Sequence, residues 1–193
     1  MKDNDTRETP PELFLELNRR FEFDLDACAN HENALCPNYF TEAGMYGRSE
    51  HDPRPLLLAA GVDGLTGSWK GRRVFCNFPY SEPALWLNKA WESKADLVYC
   101  LAPACRTEQP WWAEYVEPFR DGKSDGWVEN YSGLTLTTEF LKTRRHFLID
   151  GKPILRKNKD GSLWLHPDTK QPTRSSPKFG LVGLLFTPTK GNS

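Results

Sequence analysis

The sequence predicts an α/β domain with a mostly parallel central sheet and helices on both faces. Three observations carry that expectation. Short apolar runs of strand length recur at Val74–Cys76, Asp96–Leu101 and Phe179–Phe186, as in strands buried on both faces. Stretches with apolar residues at helical spacing stand before and between them. The chain has 193 residues, 38% of them hydrophobic and 26% charged, which is enough for one domain with a real core. In such a sheet, ligands sit beyond the carboxyl ends of the strands.

The elements follow in order. Residues 1–8 are polar and expected to fray. Thr9-Pro10-Pro11-Glu12 then predicts a helix start, with Thr9 as cap, Glu12 returning the bond and Pro10 in the first turn. Leu13, Phe14, Leu17 and Phe21 form its apolar stripe. Phe21, Phe23 and Leu25 alternate with acids, which predicts a strand ending in the small residues Asp26-Ala27-Cys28-Ala29-Asn30. Residues 31–42 are polar around Tyr39-Phe40, residues 43–54 read as a surface loop, and Leu56–Ala60 as a helical turn. After the Val74–Cys76 strand, Ser81 and Pro83 open a helix with Ala84, Leu87, Ala90 and Trp91 on one face. A strand over Asp96–Leu101, bounded by Pro103, precedes a helical Trp111–Val116. Leu136–Leu141 and Phe147–Ile149 read as later strands, Lys152–Lys178 as a long excursion or hairpin, and Phe179–Phe186 as the last strand.

Composition narrows the function. No apolar run approaches a membrane span, and MKDNDTRETP is too polar for a signal peptide, so a cytoplasmic protein without a membrane partner is expected. The five cysteines, at 28, 36, 76, 100 and 105, include no C-x-x-C pair. That argues against a disulfide framework and a zinc site; no metal is expected, and the thiols read as small hydrophobes in a reducing compartment. Net charge is −1, but it is unevenly spread. Residues 1–139 carry 14 Lys and Arg against 23 Asp and Glu, a net −9; residues 140–193 carry 11 against 3, a net +8. A basic C-terminal third on an acidic body suits a localised polyanion-binding face or a solvated basic loop.

The most informative stretch is Asn77-Phe78-Pro79-Tyr80, at the end of an apolar strand. An exocyclic ring amine is a poor nucleophile because its lone pair is spread into the ring. Two acceptors on its N–H groups restore density to nitrogen and orient the lone pair. The Asn77 side-chain oxygen and the Phe78 carbonyl are the candidates. Pro79 holds Phe78 extended, which fixes that carbonyl. Tyr80 offers a stacking face, worth roughly 1–3 kcal/mol. Such a site works by orientation and preset dipoles and needs no metal.

Asn77 to Tyr80 is similar to the Asn/Asp-Pro-Pro-Tyr motif of S-adenosylmethionine-dependent amino methyltransferases. Phe78 stands where those carry proline; adenine dimethylases of ribosomal RNA carry Asn-Leu-Pro-Tyr. The wider layout resembles phage-type DNA N6-adenine methyltransferases, through Thr9-Pro10-Pro11, Leu25-Asp26-Ala27-Cys28-Ala29, Cys36-Pro37-Asn38-Tyr39-Phe40, Asp63-Gly64-Leu65, Trp69-Lys70-Gly71 and Asn77 to Ser81. Ala102 to Thr107, Trp111-Trp112 and the final strand also look like it, whereas residues 43–62 and 119–178 diverge.

The resemblance implies a Rossmann-like class I methyltransferase fold, a single domain over 1–193 with 119–178 as a divergent insert facing DNA, and a phage or prophage origin. It implies S-adenosylmethionine as cofactor, held by Thr9, Pro10, Asp26, Ala27, Cys28 and Ala29, with Asp63 on the adenine amine. Glu42 is a weak candidate for the ribose. Without the resemblance, the 26–30 segment reads as a tight strand–helix turn and Asp63-Gly64 as an Asp-Gly turn. DNA is the implied partner. A base inside a duplex is out of reach and must be flipped into the pocket. Candidate phosphate contacts are Lys142, Arg144, Arg145, Arg156, Lys157, Lys159, Lys170, Arg174 and Lys178. Trp111-Trp112 reads as core or as a wedge in the base stack. Histidines 31, 51, 146 and 166 are scattered and carry no assigned role. Cytosine N4, an RNA base and a glutamine amide present similar planar amines, and an inactive DNA-binding module on the same scaffold is the alternative of another class.

Overall fold

A computed structural model describes residues 7–121, 133–175 and 179–189. The chain runs α1 (Pro11–Phe21), β1 (Leu25–Asp26), β2 (Asn38–Thr41), β3 (Gly44–Gly47), β4 (Leu56–Ala60), β5 (Arg73–Cys76), α2 (Pro83–Glu92), β6 (Leu97–Pro103), α3 (Pro110–Tyr115), β7 (Leu134–Phe140), β8 (Leu148–Ile149), β9 (Lys152–Pro153) and β10 (Leu181–Pro188). Eight of these strands form one sheet in the order β4-β3-β2-β1-β5-β6-β10-β7.

The sheet is mixed, which corrects the expected mostly parallel one. β2, β1, β5 and β6 run parallel to one another. Antiparallel pairing holds β10 between β6 and β7, and β2, β3 and β4 form an antiparallel meander. The meander lies where a loop and a helical turn were expected. A two-residue connection after Thr41, whose hydroxyl accepts from Ala43 N–H at 3.1 Å, turns the chain straight back into β3. Leu56–Ala60 then pairs with β3 as an edge strand, with Leu56, Leu57 and Leu58 66%, 48% and 49% exposed. With both faces exposed, it has no alternation from which a strand is read.

α1 also starts differently. Pro10 occupies the N-cap position and no side chain caps the helix. Glu22 ends α1 in the left-handed region at φ 49, donating its N–H to Asn18. That bend shortens the expected 21–26 strand to Leu25–Asp26.

Period-two alternation sorts the strands between two layers. Phe75, Tyr99 and Leu101 pack with Leu13, Phe14, Leu17 and Phe21 of α1, where Phe14 meets Phe75 edge-on at 5.2 Å. Val74, Cys76, Val98 and Cys100 pack with Trp86, Leu87, Ala90 and Trp91 of α2 and with Trp111 and Trp112 of α3. Helices therefore cover both faces, and Trp111-Trp112 is core. All five cysteines are free thiols; 36, 76 and 100 are buried, Cys28 half-buried and Cys105 exposed.

Beyond β9 the chain makes a small closed excursion. Arg156 N–H donates to Thr173, Thr173 N–H to Trp164, and Trp164 N–H to Arg156, so three short segments pair in a ring. The β8–β9 hairpin at its base turns through Asp150 and Gly151, at φ 49 and 68, as a two-residue turn of this hand requires. Glu8 pairs with Leu148 at the same place, so the N-terminal segment lies against the hairpin.

Candidate functional site

From β1 the chain passes to β2 on one side, and β5 pairs with β1 on the other. The carboxyl ends of β1 and β5 thus meet where the strand order reverses, the place where open α/β sheets bind ligands. A cleft of about 700 Å³ opens there. Thr9, Asp26, Ala27, Cys28, Ala29, Asp63 and Asn77 all line it, as does Glu42. Pro10, Phe78, Pro79 and Tyr80 do not.

Asp26 ends β1 with 3% exposure. Its carboxylate accepts from Leu35 N–H at 3.1 Å and Cys28 N–H at 3.4 Å. Burial pushes the carboxyl up to about 6, while those two N–H groups pull it down. Ala27 is fully buried, and Ala29 donates its N–H to Phe40, which lays the small-residue turn against β2.

The 63–71 loop forms a second wall. Asp63 Oδ1 accepts from Leu65 N–H, Thr66 N–H and the Thr66 hydroxyl at 2.8–3.0 Å. Partial burial pushes this carboxyl up, but the bonds from Thr66 and Leu65 outweigh it and hold it below the ordinary range. Gly64 abuts the Ala27 carbonyl and the Trp86 ring, where a Cβ has no room. Trp69, fully buried, donates its indole N–H to the Gly64 carbonyl at 2.9 Å. The Asp-Gly-Leu…Trp spacing is thus a fold requirement that presents Asp63 to the cleft.

Asn77 follows β5. Its Nδ2 donates to the Arg7 carbonyl at 3.0 Å, and its Oδ1 accepts from the Tyr80 hydroxyl at 3.2 Å. Phe78 is buried at 2% exposure. Among the described residues no donor reaches the Phe78 carbonyl, whereas the Pro79 carbonyl accepts from Glu82 N–H at 3.2 Å. The half-buried Tyr80 ring meets Phe78, Phe147 and Phe179 edge-on at 6.0, 6.4 and 5.9 Å. Burial pushes its phenol well up, so it remains a donor.

The basic candidates spread over two regions. Lys142 and Arg144 are exposed between β7 and β8. Arg145 nearby is half-buried and ion-paired with Glu16 at 2.7 Å. Arg156, Lys157, Lys159, Lys170 and Arg174 are exposed on the excursion, with the Arg156 guanidinium 4.3 Å over the Trp164 ring. Lys178 lies outside the described residues.

Sequence reasoning passed over Arg7, Glu8, Glu82 and Asp150, which also line the cleft. No local pattern marks them, because tertiary pairing of the N-terminal segment and the β8–β9 hairpin brings Arg7, Glu8 and Asp150 there. Among the described residues no cluster suits a metal ion, and no helix is long and apolar enough to cross a membrane.

Residues 1–45 match the family model of DNA N-6-adenine-methyltransferase (Dam). The matched stretch spans α1, the Asp26–Ala29 turn and the β2 strand, and ends before Asn77. It agrees with the resemblance read from the motifs and supports DNA adenine N6 methylation at the level of the family. Searches of curated proteins and of solved structures return no match.

Proposed function

We propose that this protein is an S-adenosylmethionine-dependent methyltransferase of Rossmann-like fold that methylates N6 of an adenine flipped out of DNA. One observation carries the reading. Asn77 and the Asp26–Ala29 turn, far apart in sequence, line one cleft at the switch point of the sheet.

The lining fits the donor. S-adenosylmethionine is a sulfonium bearing an amino acid and an adenosine, and Asp26, Glu42 and Asp63 offer carboxylates to its cationic and hydroxyl groups. Ala27 and Ala29 leave room for close approach. Thr9 is buried with its hydroxyl unpartnered, as expected of a group that meets a ligand. When bound, the cofactor supplies an electrophilic methyl group.

The chain's own residues prepare the acceptor. Bonding of Nδ2 to the Arg7 carbonyl fixes which end of the Asn77 amide is oxygen. Tyr80 occupies one lone pair of that oxygen and leaves the other for an amine N–H. The Phe78 carbonyl is the second acceptor, and Pro79 holds it in place. Tyr80 or its aromatic neighbours stack the base. The lone pair so oriented would take the methyl carbon as that carbon's bond to the sulfonium sulfur breaks, leaving the donor as a neutral thioether, and the amine proton would pass to water. Lys142, Arg144, Arg145 and the cations of the excursion hold phosphates while the base is extruded. The Dam match favours DNA adenine over the other planar amines.

The test combines purified protein, labelled S-adenosylmethionine and unmethylated DNA, with nucleosides read by mass spectrometry. The expected product is N6-methyladenine, reduced at least about 100-fold in Asn77→Ala, the scale of removing one transition-state hydrogen-bonding partner. N4-methylcytosine would keep the mechanism and overturn the substrate.

A further inference from the structure

Residues 7–9 line the cleft as a strap tied down on both sides. Glu8 exchanges backbone hydrogen bonds with Leu148 at 3.0 and 3.1 Å, and its carboxylate accepts Gly151 N–H at 2.8 Å. The Arg7 carbonyl holds the Asn77 amide. Two side-chain groups on this strap, Arg7 Nε and Thr9 Oγ1, are buried without a hydrogen-bond partner. Thr9 is only 6% exposed, and both residues line the cleft. Buried polar groups in native structures are nearly always paired, so two orphans two residues apart, on residues that both line one cleft, point to a ligand; the other two among the described residues, Arg48 Nε and Arg145 Nε, belong to residues that do not line it.

The charge of the lining says which part of a ligand. Its other ionisable side chains are acidic, namely Glu8, Asp26, Glu42, Asp63, Glu82 and Asp150. Arg7 is the one Lys or Arg among the described lining residues. Its guanidinium lies 5.6 Å from the Phe179 ring centroid and has no carboxylate partner among the described residues.

We propose that Arg7 joins Thr9, which the resemblance already assigns to the methyl donor, in an oxyanion clamp for the carboxylate at the donor's amino-acid end. The inference rests on the proposed function, from which it takes the donor. S-adenosylmethionine carries two cationic groups and one anionic group. The acids of the cleft suit the first two, and Arg7 suits the third. A guanidinium takes a carboxylate through paired N–H donors, and the Thr9 hydroxyl adds a further bond. Because the Arg7 carbonyl also holds Asn77, the clamp joins the donor's amino-acid end to the amide that polarises the acceptor. A phosphate of the extruded nucleotide shares this oxyanion chemistry, and the test separates the two.

Calorimetry on the 193-residue chain compares S-adenosylhomocysteine, which has the carboxylate, with 5′-methylthioadenosine, which lacks it. Arg7→Gln is expected to weaken the first by about tenfold or more, the scale of a charge-assisted bond, and to leave the second within about twofold. Arg7→Lys falls between. Thr9→Val weakens S-adenosylhomocysteine while the ligand-free unfolding midpoint stays level or rises, since the hydroxyl removed has no partner; Thr9→Ser restores affinity. Equal weakening of both ligands, or of neither, overturns the clamp. Arg7→Gln that keeps S-adenosylhomocysteine affinity but weakens DNA binding also overturns it and assigns the guanidinium to phosphate. Wild-type protein that binds neither adenosyl ligand refutes the proposed function itself.

Discussion

Asp26 and Asn77 show how far single residues reach. Asp26 is a buried acid whose carboxyl stands at about 6 instead of 3.8. An acid raised in this way favours the fold while it is protonated. That contribution is complete below the unfolded value and is lost as pH rises through about 6. Asp26→Asn keeps an acceptor for Leu35 and Cys28 and never ionises. The variant is therefore expected to match wild type in urea unfolding below pH 3.8 and to exceed it at pH 7 by on the order of 3 kcal/mol, about two pKa units. A cationic donor beside Asp26 prefers the carboxylate, so donor affinity in wild type should fall as pH drops below about 6, and Asp26→Asn should lose that step. At Asn77, replacement by Asp keeps an acceptor but sets a carboxylate against the Arg7 carbonyl in place of a donor. Single-turnover methylation is expected to fall less in Asn77→Asp than in Asn77→Ala, with thermal midpoints separating misfolding from impaired chemistry.

At the scale of elements, the 63–71 loop explains why short motifs were readable yet ambiguous. Asp63-Gly64 reads either as a turn or as a ligand-facing acid, and the geometry supports both features together. The carboxylate closes the turn through Thr66 and Leu65 while facing the cleft. Gly64 is required by its neighbours, since a Cβ meets the Ala27 carbonyl and the Trp86 ring. Gly64→Ala is expected to destabilise the protein by about 1–3 kcal/mol in urea unfolding, the scale of overpacking. Donor affinity should fall with it, because the same clash pushes the loop away from β1. α1 teaches a different lesson. Thr9 fits the capping pattern, but Pro10 takes the N-cap position and Thr9 turns into the cleft. Sequence shows a residue's hydrogen-bonding capacity and leaves open whether a backbone or a ligand receives it.

At the scale of the molecule, the charge asymmetry becomes an arrangement. Six acids and Arg7 line the cleft, while the excursion presents Arg156, Lys157, Lys159, Lys170 and Arg174 to solvent. The ring of hydrogen bonds through Arg156, Trp164 and Thr173 makes the excursion a built unit that displays these cations. Neutralising Arg156 and Arg174 together is expected to weaken DNA binding and to lower the slope of log K against log salt by about 1 for each phosphate left without its cation. S-adenosylhomocysteine affinity should stay unchanged, since neither residue lines the cleft. A salt slope equal to wild type would show that the excursion faces away from DNA.

The sequence by itself determined the strongly periodic parts. The α1 stripe, β5, α2, β6, α3 and β10 all stand where apolar spacing put them, because each buries a face and burial leaves a period. It also determined that Asp26 and Asn77 end strands, since small or stiff polar residues interrupt apolar runs there. Tertiary structure alone decided that those strands are neighbours, that the sheet is mixed, and that Leu56–Ala60 is a strand. Strand partnership is a long-range choice, and an edge strand exposed on both faces has no local signature. It also decided that Arg7 and Asp150 share a wall of the cleft with Asn77. That wall exists because Glu8 pairs with Leu148, a meeting of distant backbone groups whose side chains give no sign of it.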